Sequence, residues 1–445
     1  MLQAKPRVLI VARDDGRAGP LAEGLDRLGW RTLTARGPYA AASAIEEPSI
    51  EAVILDLDGA DADALPMARR LRLAGAPRRL PIIGVSDHSS PPAADIDLVL
   101  PAPLHADQVA AKLESLVRLT VAEEQLELRR QTFSEHGRAL DEPEPDAGPI
   151  AVLMAGEPAP QFLALANALR AKGADTVAAI SPYNAFEYLH QRQFDAVALW
   201  NGAEGSALAI ASGMRRNSRL FHMPAVLCLA TAEAGSVSEL LSKGVTDIAA
   251  RSGAESNRAA RIISLARVHR RQTAIRAALD RARSSGLLDA STGLFTRSLF
   301  AAHLAKLARS AVGQARPLSL AVLSLADTVE LRAARRVGAL DRAIPQIGAM
   351  IARLVRAEDT AARLAPEAFA IALPATAVRA ADAAAERIAA VIGCTAFEGG
   401  AGAAGGARDT FVAAFDIGVA EFDPDEGVAA ALERAAKRAG QRLAG

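Results

Sequence analysis

The sequence predicts an α/β chain in which two doubly wound, parallel-sheet domains precede a smaller α+β domain. Three observations carry this. Apolar runs of strand length, rich in β-branched residues, alternate with helical patterns from Val8 onward, as they do where parallel strands are buried on both faces. The alternation begins again at Ile150 with similar spacing, the mark of a repeated fold. Beyond Gly286 the order of elements changes. A chain of 445 residues has room for roughly two to four domains, each able to bury its own core.

The first domain is placed at residues 1–140. Its first strand is Val8–Ala12, followed by strands at Ala52–Leu55, Ile82–Val85 and Leu98–Leu100, with helices such as Pro66–Leu73 and Ala106–Leu119 between them. The helical pattern runs on to Leu140 and stops at the acidic, proline-bearing segment Asp141–Pro149, which reads as a linker. The second domain, 148–284, has strands at Ile150–Ala155, Ala196–Trp200, Ala225–Ala230 and Asp247–Ala249, and leaves through a connector helix over Arg258–Arg283. In the third domain, 285–445, helices are expected at Leu299–Ala311, Asp341–Val355 and Ala377–Val391. Its strands are Leu318–Leu325, a pair around Ala361–Pro374, and Val412–Ala420. The Gly/Ala-rich stretch Glu398–Asp409 reads as a hairpin or loop.

Composition narrows the function. Lys and Arg total 51 and Asp and Glu total 51, so the chain has no bulk attraction for nucleic acid or anionic lipid, and any anion site must be local. Cys228 and Cys394 stand far apart without metal-ligand spacing, and the seven histidines are scattered, which points to neither a disulfide framework nor a metal cluster. The apolar runs are strand-length, too short for a membrane span. A cytoplasmic protein without membrane insertion is expected.

Asp56 ends the AVILD run, where the carboxyl edge of a parallel sheet presents side chains to ligands. This arrangement resembles the phosphoacceptor of response-regulator receiver domains, which implies flavodoxin-like (βα)5 folds and makes Asp56 the candidate phosphoacceptor. Ser86 matches the family's Ser or Thr. The family's acidic pair falls on Ala12 and Arg13, with Asp14 and Asp15 one step late, and its Lys falls on Ala102 before Pro103. In the second domain the strand end is Trp200, so that domain resembles a receiver without a phosphoacceptor; Gly244–Arg251 keeps a receiver's last loop and strand.

The third domain opens with DASTGLFTR, Asp289–Arg297, which resembles the D-x-L-T-G-L-x-N-R entry motif of GGDEF diguanylate cyclases and implies a nucleotide-cyclase palm-like fold. Ser291 and Thr296 depart from it. Ala365, Pro366, Glu367, Ala368 and Phe369 stand where that family has Gly-Gly-Asp/Glu-Glu-Phe. Ser324 and Ala326 occupy its two metal-binding Asp positions, Arg332 its guanine-reading Asn, and Glu433–Leu443 a degraded C-terminal motif, while Glu367 and Asp341 are kept. A single carboxylate binds Mg²⁺ poorly, and Ala-Pro fills the space that a glycine pair leaves open for guanosine and fixes one φ. The resemblance therefore implies a chain without cyclase activity or tightly bound metal.

One family constellation stands whole. Arg356-Ala-Glu-Asp359 matches the RxxD site that binds cyclic di-GMP in these cyclases, and Arg387 matches a further arginine of that site. Guanidinium forks suit guanine O6/N7 and phosphate, and a carboxylate accepts from guanine N1–H and N2–H₂. The receiver–receiver–GGDEF order resembles PleD-like proteins and, in its losses, PopA-type effectors. That resemblance implies a silent cyclic di-GMP receptor, a homodimer at a cell pole that recruits protein adaptors for regulated proteolysis. Two alternatives remain: a weakly active diguanylate cyclase, and a regulator driven by phosphorylation of Asp56.

Overall fold

The computed structural model describes residues 6–12, 15–45, 50–58, 64–76, 78–86, 95–100, 104–143, 148–201, 206–229, 237–249, 254–400 and 409–440. Arg13, Asp14, Ala102, Pro103, Ala250, Arg251, residues 401–408 of the Gly/Ala-rich stretch and the last residues of the C-terminal motif (441–443) lie outside them.

The first domain runs β1 (Arg7–Val11), α1 (Asp15–Arg27), β2 (Arg31–Ala35), α2 (Pro38–Ile45), β3 (Ile50–Asp56), α3 (Ala64–Gly75), β4 (Ile82–Val85), β5 (Leu98–Leu100) and α4 (Ala106–Glu135). Its strands are parallel and ordered β2-β1-β3-β4-β5, the flavodoxin-like doubly wound order. The second domain repeats it with β6 (Ala151–Ala155), α5 (Pro160–Ala171), β7 (Asp175–Ala179), α6 (Pro182–Gln191), β8 (Ala196–Asn201), α7 (Ser206–Arg216), β9 (Ala225–Leu229), α8 (Val237–Ser242), β10 (Asp247–Ala249) and α9 (Glu255–Arg281). Its order, β7-β6-β8-β9-β10, is the same. The flavodoxin-like topology is thus present twice in the chain. The sequence pattern marks the central strands of both sheets but passes over β2 and β7, whose shared burial pattern is exposed or half-buried except at the last residue. An edge strand read from one side only lacks the continuous apolar run that betrays its neighbours.

A 3₁₀ turn (Ala282–Ser285) leads into the third domain, which comprises β11 (Phe295–Thr296), α10 (Arg297–Gly313), β12 (Leu318–Leu325), α11 (Val329–Arg336), α12 (Ala339–Leu354), β13 (Thr360–Ala365), β14 (Ala368–Pro374), α13 (Val378–Gly393), β15 (Ala396–Gly400), β16 (Asp409–Val412), β17 (Phe415–Glu421) and α14 (Val428–Arg438). The mixed sheet β11-β13-β14-β12-β17 carries helices on both faces, with Phe369 and Ile371 facing one apolar cluster and Ala370 and Ala372 the other. Thr296 caps α10 by accepting the N–H of Leu299, so threonine does there what asparagine does at helix starts. The Gly/Ala-rich stretch is bracketed by a hairpin, β15 against β16. Two expected limits move. Helix α4 stops at Glu135 because Gly137 turns left-handed (φ 71°) and the N–H of Arg138 bonds back to Phe133 O, a helix stop that glycine favours. The single strand expected at Val412–Ala420 is two, broken at Ala413–Ala414, where Ala414 O accepts from Ala326 N.

The chain divides into two compact units: Met1–Thr120, Pro145–Arg215 and His222–Gln272 form the first, and Val121–Glu144, Arg216–Phe221 and Thr273–Gly445 the second. Both flavodoxin-like domains share the first unit, where a buried ionic cluster joins them. Asp247 of β10 takes Lys112 Nζ of α4 at 2.5 Å and Arg261 Nε and Nη2 of α9 at 2.5 and 2.8 Å. Asp247 and Lys112 are 2% and 3% exposed. Burial works against both charges: it lowers Lys112 to about 8 in spite of Asp247, whereas in Asp247 it is outweighed by Lys112 and Arg261, which hold the carboxyl below its usual range. Gln108 adds a hydrogen bond to Ile248 O at 3.3 Å. Removing Asp247 strands two cations in a dry site, so Asp247→Ala should cost this unit about 3–5 kcal/mol, and Lys112→Met, which leaves the Arg261 pair, much less. Urea unfolding followed by tryptophan fluorescence checks this, because Trp30 and Trp200, the chain's two tryptophans, both lie in this unit.

Candidate functional site

Helix α12 ends at Leu354, and Arg356–Asp359 forms the turn into β13. Both residues lie beyond the end of the helix, on the turn itself. Asp359 is 5% exposed and folds back so that its Oδ2 accepts the N–H of Arg356 at 3.0 Å, while its own N–H bonds to Arg356 O at 3.2 Å. The turn is gripped from behind by Arg129 of α4, whose side chain is fully buried. Arg129 donates to Ala357 O at 2.8 Å, Asp359 O at 2.7 Å and Thr360 Oγ1 at 3.2–3.3 Å. Burial lowers its guanidinium to about 10, against the attraction of Asp359 and Glu358.

His303 of α10 completes this support. Thr132 gives its one hydroxyl proton to Leu128 O at 2.8 Å, so the 3.0 Å contact with His303 Nδ1 must be donated by the ring. Nε2 is then the acceptor for Thr360 Oγ1 at 3.3 Å. These directions assign a neutral imidazole. Burial, helped by Arg129 and Lys306, pushes its pKa down to about 3.

The front of the turn opens on a cavity of ≈130 Å³ lined by Arg356 and Asp359, with Leu279, Leu294, Phe295 and Val355 among its apolar walls. Pockets that enclose a whole drug-sized ligand hold roughly 300–1,000 Å³, so this one accepts a ring-sized group with the rest outside. Arg387 does not line it. That side chain is exposed on α13 and lies over the Phe221 ring, 5.8 Å from its centroid, at cation–π distance.

The entry motif is a tight turn. Asp289 Oδ1 accepts from Thr292 N at 2.8 Å and Thr292 Oγ1 at 2.7 Å; burial opposes the charge, but these bonds and Arg363 hold the carboxyl below its usual range. In the hairpin, Pro366 and Glu367 separate β13 from β14, with Ala365 paired to Ala368 and Arg363 to Phe369. Both carboxylate oxygens of Glu367 are taken by Arg335 of α11, at 2.8 and 2.6 Å. Arg335 also meets Asp327 at 3.5 Å, which pairs with Arg332 at 2.9 Å. Ser324 is buried on β12, Ala326 follows its end, and Asp341 is exposed on α12. Among the described residues no three His, Cys, Asp or Glu side chains are grouped so as to hold a metal ion.

At the other candidate position, Asp56 ends β3 as expected and accepts the N–H of Asp58 at 3.1 Å. Ser86 follows β4, but its hydroxyl bonds to Asp58 Oδ1 at 2.6 Å. Asp58 was passed over in the sequence although it stands two residues from Asp56. In the second domain Trp200, 5% exposed, fills the strand end and packs edge-on against Phe162. Gly156 faces it with φ 144°, and a Cβ there would lie 2.7 Å from Trp200 O, so only glycine fits.

A buried histidine that stays neutral when folded but has an ordinary pKa near 6.5 when unfolded makes acid unfavourable to the fold. Its contribution is complete above pH about 6.5 and is lost as pH falls toward 3. Between pH 7 and 5 the second unit should lose about 2 kcal/mol through His303. Urea unfolding read by proteolysis of residues 273–440 should show this loss in the wild type and not in His303→Gln.

The family model of the diguanylate cyclase GGDEF domain matches residues 287–443. No curated protein matches the chain. Among solved structures, the chain is similar to the FimX GGDEF domain from Pseudomonas aeruginosa, with 25% identity over 35% of this chain and 91% of that one and a TM-score of 0.30. It is also similar to the GGDEF domain of DgcB from Caulobacter crescentus in complex with c-di-GMP (22% identity, 35% and 90% coverage, TM-score 0.31). A response regulator from Thermotoga maritima matches 26% of this chain over 98% of its own length, with 18% identity and a TM-score of 0.24. The GGDEF domain thus lies at residues 287–443, preceded by two α/β domains of flavodoxin-like topology.

Proposed function

We propose that the protein is a cyclic di-GMP receptor that works without cyclase chemistry and acts by engaging protein partners, in the manner of a homodimeric effector. Arg356 and Asp359 bind the guanine moiety, and Arg387 contributes from α13. The observation that carries this reading is the Arg356–Asp359 turn, held in one conformation by Arg129 and opening on a cavity with apolar walls. A turn fixed before the ligand arrives loses little entropy on binding.

The cyclase signature supports the same reading from the other side. The donors there do not fit a divalent cation: Ser324 is buried, Ala326 offers no donor, and Glu367 is engaged on both oxygens by Arg335. Mg²⁺ sheds water reluctantly and needs carboxylates that face it. The bidentate Arg335 pair compensates the charge that a metal would otherwise compensate.

Calorimetric titration of cyclic di-GMP into the full chain tests the proposal. Saturable binding at about micromolar affinity is expected for the wild type and should be lost in Arg356→Gly, whose melting temperature should stay near that of the wild type. GTP with Mg²⁺ or Mn²⁺ should yield no cyclic di-GMP. Turnover that disappears in Glu367→Gln would instead establish a diguanylate cyclase.

A further inference from the structure

Helix α3 of the first domain turns an apolar and basic stripe to solvent. Leu65 and Leu73 are 51% and 68% exposed, and they stand four residues either side of the exposed Arg69, so the three share one side of the helix. Arg70 is exposed beside them. Leucines scattered singly over a surface are ordinary, but two on one stripe about an arginine form a patch. Helix α2 packs against α3 and opens with Tyr39, 90% exposed. Because β2 and β3 both run parallel to β1, the helices that follow them begin at the same edge of the sheet, which puts Tyr39 and Leu65 at one end of the face.

The second domain, with the same strand order, is a comparison built into the chain. Its α6 also begins Pro-Tyr, with Tyr183 exposed. Its α7, the counterpart of α3, exposes only Ala209 and Arg216 among the described side chains, and α6 carries Glu187. The leucine stripe is therefore no requirement of the shared architecture. Its charge is also one-sided, since neither α2 nor α3 contains Asp or Glu. Arg72 is paired with Asp97, whereas Arg69 and Arg70 meet no carboxylate among the described residues.

We infer that the α2–α3 face of the first domain docks an acidic amphipathic helix of a partner protein. The partner's apolar side chains cover Leu65, Leu73 and the Tyr39 ring, and its carboxylates meet Arg69 and Arg70; a helix presents both kinds of side chain at three- and four-residue steps. Tyrosine and arginine are the residues that anchor such contacts, and a guanidinium takes a carboxylate through two parallel hydrogen bonds. Two exposed arginines fall short of the roughly 4–8 basic residues that hold a segment to an anionic membrane. The face shares no residue with the Arg356–Asp359 turn, so the inference is independent of nucleotide binding.

A phage-displayed library of random helix-length peptides is selected on the immobilised full chain, on Leu73→Asp and on the double variant Arg69→Glu/Arg70→Glu. The wild type should enrich peptides with apolar residues at three- and four-residue steps and Asp or Glu between them. A synthetic copy of the most enriched peptide should bind each variant about tenfold or more weakly than the wild type, and raised salt should weaken it most in the wild type. All three positions are exposed, so both variants should keep the wild-type melting temperature. Enrichment that ignores both variants, or no enrichment on the wild type, would overturn the docking face. Two other occupants are read in parallel. Self-association in sedimentation velocity that Leu73→Asp abolishes would make the face a contact between copies, and flotation with phosphatidylglycerol vesicles that Arg69→Glu/Arg70→Glu abolishes would make it a membrane face; either result overturns the acidic partner.

Discussion

The second unit is organised around one buried cation. Arg129 carries its charge into a site with no solvent exposure and donates to two carbonyls and a hydroxyl. A guanidinium can do this because its planar fork matches several acceptors at once and never needs to shed its proton. The carbonyls belong to Ala357 and Asp359, so the Arg356–Asp359 turn has its shape imposed from inside. His303 extends the same support through Thr132 and Thr360 and must stay uncharged beside Arg129. Ligand-facing residues on a turn are only as well placed as what lies behind them, and here that is a buried hydrogen-bonded network.

The first unit shows the same economy with the opposite sign. There a buried carboxylate, Asp247, is the centre, and two cations from separate helices converge on it. Lys112 belongs to the first flavodoxin-like domain and Asp247 and Arg261 to the second, so the ionic cluster joins domains that are repeats in topology. Their strand ends have diverged: Asp56 with Asp58 and Ser86 in one, Trp200 in the other. One fold therefore presents a polar edge and an apolar edge within one unit, an instance of chemistry varying at loop and strand ends while the sheet stays constant.

The fold was legible because its strands announce themselves. Central strands such as Leu9–Val11, Val53–Leu55 and Ala368–Leu373 are apolar on both faces, whether their neighbours are parallel or antiparallel. Edge strands β2 and β7 were silent because they are exposed or half-buried up to their last residue and so carry no continuous apolar run. At the site, Arg356 and Asp359 were legible through a four-residue motif. Their conformation was not, since the turn is dictated by Arg129, which lies 227 positions before Arg356 and within no motif. The Arg335–Glu367 pair was hidden for the same reason: each residue is ordinary in its own segment, and α11 brings them together. Long-range polar contacts leave almost no local trace.

The packing of Trp200 against Phe162 and Gly156 limits what position 200 can become. Converting position 200 to aspartate would place a carboxylate where an indole is 5% exposed and open a void beside Phe162, a double penalty of buried charge and lost contact. Gly156, committed to φ 144°, would still have to accommodate whatever took its place. A single substitution at position 200 therefore cannot give the second domain the carboxylate edge that Asp56 gives the first without a loss of stability.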